Sequence, residues 1–321
     1  MTSTAPARLD TGWPPPPFLA PLPAVTGTDG VRRFHGLSYA TSPGYRPRLL
    51  DVHVPPGRER VPAVVWIHGG GWLDGDRRYP PPTVPVELLH GAVLGAGLAL
   101  VSVDYRHSLE APFPAQLHDV KAAIRYVRRH AGLLGVDAGR IGAWGESAGG
   151  HLAALAGLVR AGAHGCGPAG LAGLEGREGV PDGDSTVRAV VDWYGVSDIE
   201  PLLGQPLPAP AVPPDAPPYP HPFEALLGGP PAERRERARA ASPVTYAAGP
   251  TPPPFLLVHG REDGVVPYRQ SEALARALTA AGGDVTLRPV EGADHIFLGS
   301  PEVPAVVAES VGFLRRHLTA R

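Results

Sequence analysis

Of 321 residues only one, Cys166, is a cysteine. An intramolecular disulfide is therefore excluded, and cysteine usage gives no reason to expect an oxidising compartment. No apolar run approaches the roughly 18 residues needed to cross a bilayer. Residues 1–24, rich in proline, threonine and alanine, lack the basic start and apolar stretch of a secretory signal. An excess of either charge is also missing: 29 Lys and Arg stand against 31 Asp and Glu, a net of −2. Neither nucleic acid nor an anionic membrane is an expected partner. There is no His-Glu-x-x-His, and Cys166 with His164 supplies too few ligands to close a zinc site, so no metal is expected. No Gly-x-x-x-x-Gly-Lys loop points to a bound nucleotide, no cofactor is expected, and internal repeats are absent. The default is a soluble cytoplasmic protein, with a homodimer compatible with the composition.

What is abundant is glycine and proline, 41 of each, beside 43 % apolar residues, enough for a sizeable core. The glycine and proline cluster in three stretches: 13–23, 162–183 and 201–222. Residues 1–24 read as a flexible or loosely draped leader. The other two stretches read as insertions within one domain spanning 25–321. The last follows Asp198 at the end of a strand and carries Tyr219 and His221. It is expected either to cap the site, with Tyr219 reaching substrate, or to be a surface loop.

Elsewhere strand and helix alternate. Residues 48–54 alternate apolar and polar side chains, as a half-exposed strand does. Residues 63–67 and 98–103 are short apolar runs, the signature of strands buried on both faces. A helix opens at Pro114, with Leu117, Val120, Ile124 and Val127 on one face and Gly132 at its end. Strand 141–144 leads into helix 147–158, followed by strands 187–194 and 255–259, a helix near 271–281, and strand 285–290. A last helix has Val307, Val311, Leu314 and Leu318 on one stripe. This order implies an α/β fold: a mostly parallel central sheet with helices on both faces. Ligands then bind at the carboxyl ends of the strands.

The chemistry-bearing residues fall at those ends. Gly145-Glu146-Ser147-Ala148-Gly149 fits the Gly-x-Ser-x-Gly turn that lifts a serine between a strand and a helix. The turn leaves no room for side chains at its two glycines, and the following helix favours negative charge at its N-terminus. His68-Gly69-Gly70-Gly71-Trp72 follows strand 63–67, where consecutive backbone N–H groups can converge on an oxyanion. His68 is expected to hold that loop, and His151 to be a packed, hydrogen-bonded histidine. Asp263 and His295 each follow a strand, giving the chain order serine, acid, histidine. A serine hydroxyl needs a neutral imidazole to take its proton, and the imidazole needs a carboxylate to fix its tautomer. Asp263 is favoured over Glu262, Asp294 and Asp198 by its place in the pattern. Trp72, Glu146 and Tyr219 are candidates for substrate contact.

Taken together, these segments resemble the hormone-sensitive-lipase-like branch of the α/β-hydrolases, and within it bacterial carboxylesterases related to feruloyl and acetyl-xylan esterases. The resemblance runs from about residue 48 to the end. It also rests on Asp104-Tyr105-Arg106, on 113–120 and on 259–267. It implies oxyanion donors at the N–H groups of Gly70, Gly71 and Ala148, with Asp104, Arg106 and Asp119 bracing the site. The implied activity is hydrolysis of short or medium acyl, or aryl, esters through an acyl-enzyme. Two other readings stand beside it. His68-Gly-Gly-Gly-Trp72 also fits the pattern of kynurenine formamidases, which use the same triad on an amide. A non-catalytic ligand-binding module on a hydrolase fold is the alternative of another class, and the presence of both Ser147 and His295 argues against it.

Overall fold

The computed structural model describes residues 16–57, 60–160, 173–202, 221–249 and 252–320. Strands β1 (Val25–Thr26), β2 (Arg32–Ala40), β3 (Arg48–Val54), β4 (Val61–Ile67), β5 (Ala99–Val103), β6 (Val136–Glu146), β7 (Val190–Trp193), β8 (Phe255–Gly260) and β9 (Val285–Val290) form one sheet. Its order is β1-β2-β3-β5-β4-β6-β7-β8-β9. From β5 to β9 all neighbours are parallel, while β1, β2 and β3 add an antiparallel edge. The apolar runs are continuous for a physical reason. β4 and β5 are buried along their whole length, because helices cover both faces.

Helices α2 (Ala115–Arg129), α4 (Ala148–Leu158) and α7 (Arg269–Ala280) pack on one face, and α1 (Val86–Gly95) and α8 (Val303–Thr319) on the other. Under α1 and α8, Trp66, Trp144 and Trp193 meet edge to face, with ring centroids 4.9 to 5.8 Å apart. This geometry suits the ring quadrupoles. Trp193 donates its indole N–H to Ser310 Oγ in α8 at 2.9 Å, so the polar atom is satisfied inside the apolar layer. Short helices α3 (Ala131–Leu134), α5 (Pro222–Leu227) and α6 (Arg235–Ala240) fill the connections.

The expected strand at 187–194 is shorter, because its ladder pairs only where β6 and β8 flank it. β2 and α1 escape the sequence pattern. In β2 the alternation is interrupted by a register shift between Phe34 and Leu37, at Gly36 with φ 62°. In α1 no side chain caps the N-terminus, and the helix is held instead by burial of Leu89 and Val93.

The described part of the leader, 16–24, is pinned rather than free. Leu19 N–H donates to Ser38 O at 2.9 Å and Tyr126 Oη to Leu19 O at 2.8 Å, while Phe18 packs edge-on against Tyr126. The described end of the 162–183 insertion is likewise anchored. Glu175 accepts from Lys121 Nζ at 2.8 Å and Arg125 Nη1 at 3.2 Å, and Arg125 Nε donates to Val180 O at 2.6 Å. Both cationic side chains lie inside α2 with no solvent exposure, so Glu175 compensates charge that would be costly to bury alone. The expected cap at 201–222, with Tyr219, lies almost wholly outside the described residues. Among the described residues, no helix is long and apolar enough to cross a membrane.

Candidate active site

At the carboxyl end of β6 the chain turns sharply into α4, and Ser147 occupies the turn with φ 52° and ψ −118°. That left-handed backbone is strained for a residue with a side chain. The flanking glycines are required by space: a Cβ on Gly145 would lie 2.1 Å from Gly149 O, and one on Gly149 would lie 2.0 Å from Ile67 O. The turn is fastened to β7 by the Ser147 N–H, which donates to Trp193 O at 2.8 Å.

His295 follows β9 and reaches back over this turn. Its Nε2 is 3.1 Å from Ser147 Oγ and its Nδ1 is 2.7 Å from Asp263 Oδ2. An ionised carboxylate only accepts hydrogen bonds, so in the neutral ring Nδ1 carries the hydrogen and Nε2 presents its lone pair to the serine hydroxyl. The Tyr194 ring packs against the imidazole at a steep angle, 66°, with the centroids 4.9 Å apart. The segment carrying His295 contains Ile296 and Phe297 at φ 56° and 60°. It is tied to the loop after β4 by the Thr83 hydroxyl, which donates to Ile296 O.

Asp263 is held as an anion. Burial alone would raise its carboxyl, but hydrogen bonds from His259 and His295 outweigh burial and hold it well below the usual carboxylate range. Oδ1 also accepts from the N–H groups of Val265 and Val266 at 2.9 and 2.8 Å. His259 Nε2 lies 2.7 Å from Val266 O and 3.2 Å from Asp263 Oδ2. Both are acceptors, so this nitrogen bears the hydrogen, and Nδ1 takes the Ser271 hydroxyl at 2.7 Å. The rival acids are placed elsewhere. Asp294 Oδ1 accepts from the N–H groups of His295 and Gly264 at 2.6 and 2.9 Å, shaping the turn. Glu262 is exposed. The Asp198 N–H is held by Gln270 Oε1 at 2.7 Å.

The glycine loop after β4 adopts positive φ at Gly70 (97°), Gly71 (59°) and Trp72 (59°). A Cβ on Gly70 would meet Asp74 O at 2.3 Å, so only glycine fits there. Among the described residues the N–H groups of Gly70 and Gly71 have no protein acceptor. The Ala148 N–H opens α4, where no intrahelical acceptor is available. His68 braces the loop as expected. It stacks on Tyr105 at 4.4 Å, donates Nδ1–H to Gly69 O at 2.8 Å, and is kept neutral by burial, which pushes it down to about 4. Tyr105 Oη donates to His68 O at 3.0 Å. Asp104 receives Arg77, and Asp119 accepts from Arg106 Nε and Nη2, each at 2.8 Å.

Two candidates for substrate contact are turned away from it. Trp72 is buried, donates its indole N–H to His151 Nδ1 at 3.1 Å, and packs against Phe223. His151 in turn donates Nε2–H to Ala241 O at 2.6 Å, so this indole N–H is already committed. Glu146 is buried and its Oε1 accepts the Gly69 N–H at 2.6 Å. Tyr219 lies outside the described residues. Sequence reasoning missed Tyr194, His259 and Thr83. Tyr194 and His259 sit at the carboxyl ends of β7 and β8, which was the available signal.

Asp192, in β7 beneath the elbow, is another buried acid. Gly195 N–H donates to its Oδ1 at 2.9 Å, while Oδ2 has no partner. Burial raises this carboxyl to about 7. Between the unfolded value, about 4, and 7, the folded chain keeps a proton that the unfolded chain has released, so stability should decline as pH rises through that window. Asp192→Asn is expected to flatten the decline and to gain up to about 4 kcal/mol at pH 8, from three units at about 1.4 kcal/mol each. Urea unfolding at pH 5 and pH 8 measures both curves. Parallel curves for wild type and variant would refute the assignment.

A parallel sheet covered on both faces, with a serine elbow, an acid and a histidine at its carboxyl edge, defines an α/β-hydrolase. The BD-FAE sequence family matches residues 50–278, and the chain belongs to that family. It is similar to esterase LipQ of Mycobacterium tuberculosis, 33 % identical over 84 % of this chain and 59 % of that protein. The chain spans about half to about two thirds of the length of the first curated relatives it matches. Among solved structures it is similar to a truncated carbohydrate esterase from gut microbiota, with TM-score 0.75, 28 % identity, and coverage of 94 % of this chain and 100 % of that one. It also resembles an esterase of Thermogutta terrifontis with propionate bound, with TM-score 0.64, 26 % identity, and coverage of 89 % and 96 %.

Proposed function

We propose that this chain is a serine carboxylesterase acting on short or medium acyl, or aryl, esters, with Ser147, His295 and Asp263 as its catalytic triad. The observation that carries this reading is the pair of contacts from one imidazole, 3.1 Å to Ser147 Oγ and 2.7 Å to Asp263 Oδ2. Ser147 Oγ attacks the ester carbonyl carbon while His295 Nε2 takes the hydroxyl proton. The carbonyl oxygen becomes an oxyanion facing the N–H groups of Gly70, Gly71 and Ala148. As the tetrahedral intermediate collapses, the bond to the alcohol oxygen breaks and His295 returns its proton to that oxygen. Water, deprotonated by the same imidazole, then releases the acid and restores the serine. Asp263 keeps the imidazole in the tautomer this cycle needs and stabilises its protonated form. The names of the relatives support ester hydrolysis, and the bound propionate of the Thermogutta esterase supports a short acyl group.

The test is a hydrolysis panel of 4-nitrophenyl esters from acetate to octanoate, acetylated and feruloylated sugars, and N-formylkynurenine, each with and without EDTA. Highest kcat/KM is expected on short acyl esters, with no effect of the chelator. Preference for the formamide would transfer the assignment to an arylformamidase. Activity lost in EDTA and restored by zinc would refute it.

A further inference from the structure

Glu146 stands between the two halves of the oxyanion machinery. It is the last residue of β6 and the immediate neighbour of Ser147, yet its side chain is only 6 % exposed. It is aimed away from the serine into the glycine loop. Oε1 accepts the Gly69 N–H at 2.6 Å, and the carboxylate lies flat on the loop: a Cβ on Gly69 would meet Oε1 at 2.2 Å and Cδ at 2.5 Å. The Tyr194 hydroxyl faces the same carboxylate without completing a well-formed hydrogen bond. The other ionisable groups near it are His295 and Tyr105, the latter donating to His68 O and so fastening the loop at the preceding residue. Burial raises the Glu146 carboxyl, opposed by His295, the Gly69 N–H and Tyr194. A carboxylate kept in such a place costs desolvation, and its one short contact is to the loop.

Resting on the esterase reading above, we propose that Glu146 is a positioning residue that ties the glycine loop to the nucleophile elbow through Gly69, and so sets where Gly70 and Gly71 aim their N–H groups at the developing oxyanion. The two donors follow Gly69 directly along the chain. Both sit at positive φ, where glycine has wide freedom. Without an anchor at Gly69 the loop could rotate its N–H groups off the oxygen. Donor aim matters most when charge develops on that oxygen, so the loss should appear in kcat rather than in KM.

The experiment compares Glu146→Ala, Glu146→Gln and Glu146→Met with wild type on 4-nitrophenyl acetate, with competent sites counted by end-point labelling with a fluorophosphonate. Met keeps the side-chain volume without the polar atoms, so it reports even where the Ala cavity prevents folding. Ala or Met should lose at least about thirtyfold in kcat per titrated site, somewhat less than the roughly hundredfold to thousandfold cost of deleting an oxyanion donor outright, with KM within about threefold. Gln, which keeps an acceptor in the same place, should remain within about fivefold of wild type. Binding of a trifluoromethyl ketone, which forms a tetrahedral adduct at the serine, should weaken in step with kcat. The inference is overturned if Met retains kcat within threefold, if Gln is as impaired as Met, or if the loss lies in KM alone. A wild type that hydrolyses none of the esters would instead overturn the esterase reading itself.

Discussion

Ser147→Ala is expected to lower kcat by at least about a thousandfold on every ester the wild type turns over, while leaving the fold intact. On the proposed mechanism the hydroxyl is the group that forms the acyl-enzyme. Removing it leaves the oxyanion donors and a general base, which can at best assist direct attack by water. The fold should tolerate the change because the elbow is shaped by the glycines at 145 and 149 and by the Ser147 N–H to Trp193 O bond, none of which uses the side chain. Steady-state rates with 4-nitrophenyl acetate, alongside circular dichroism, test both halves. A variant that keeps a tenth of wild-type turnover would remove Ser147 from the mechanism.

Asp263→Asn carries the second large effect. An asparagine can still accept the Val265 and Val266 N–H bonds through its oxygen, so the loop should hold. Its amide nitrogen would then face His295 Nδ1 and donate to it, forcing the ring hydrogen onto Nε2. That nitrogen would point a hydrogen, not a lone pair, at Ser147. The expected loss is about a thousandfold to ten-thousandfold in kcat. Glu262→Gln, one residue away but exposed, should stay within about threefold, as surface changes usually do. Equal losses in the two variants would mean that the acid has been misassigned. Asp263 also links activity to acid stability. Its carboxyl is held below the unfolded value of about 4, so its contribution is complete above that pH and is lost as pH falls toward the lower folded value.

The parallel core of the sheet was legible because helices bury both faces of β4, β5 and β8, which leaves continuous apolar runs that only such a sheet explains. The elbow and the glycine loop were legible because their glycines are demanded by contacts of 2.0 to 2.3 Å that no side chain survives. Elements fixed by tertiary packing alone were not legible. β2 is broken by a bulge, and α1 has no side-chain cap and is held by burial of Leu89 and Val93. The misplaced candidates teach a similar lesson. Trp72 and Glu146 lie beside the reactive residues in the chain, but the positive φ at Gly71 and Trp72 and the sharp turn at Ser147 swing neighbouring side chains in opposite directions. Adjacency in sequence therefore did not report adjacency to substrate. Tyr194 went unnoticed because a tyrosine ending a strand carries no motif; what it supplies is geometric, a ring packed steeply against His295.

The most direct test of the central claim is covalent trapping. The wild-type protein would be incubated with a fluorophosphonate, its intact mass measured, and the modified peptide sequenced. One adduct per chain is expected, on the peptide containing Ser147, and absent from Ser147→Ala. A protein that stays unlabelled, or one labelled and inactivated at a different serine, would contradict the account.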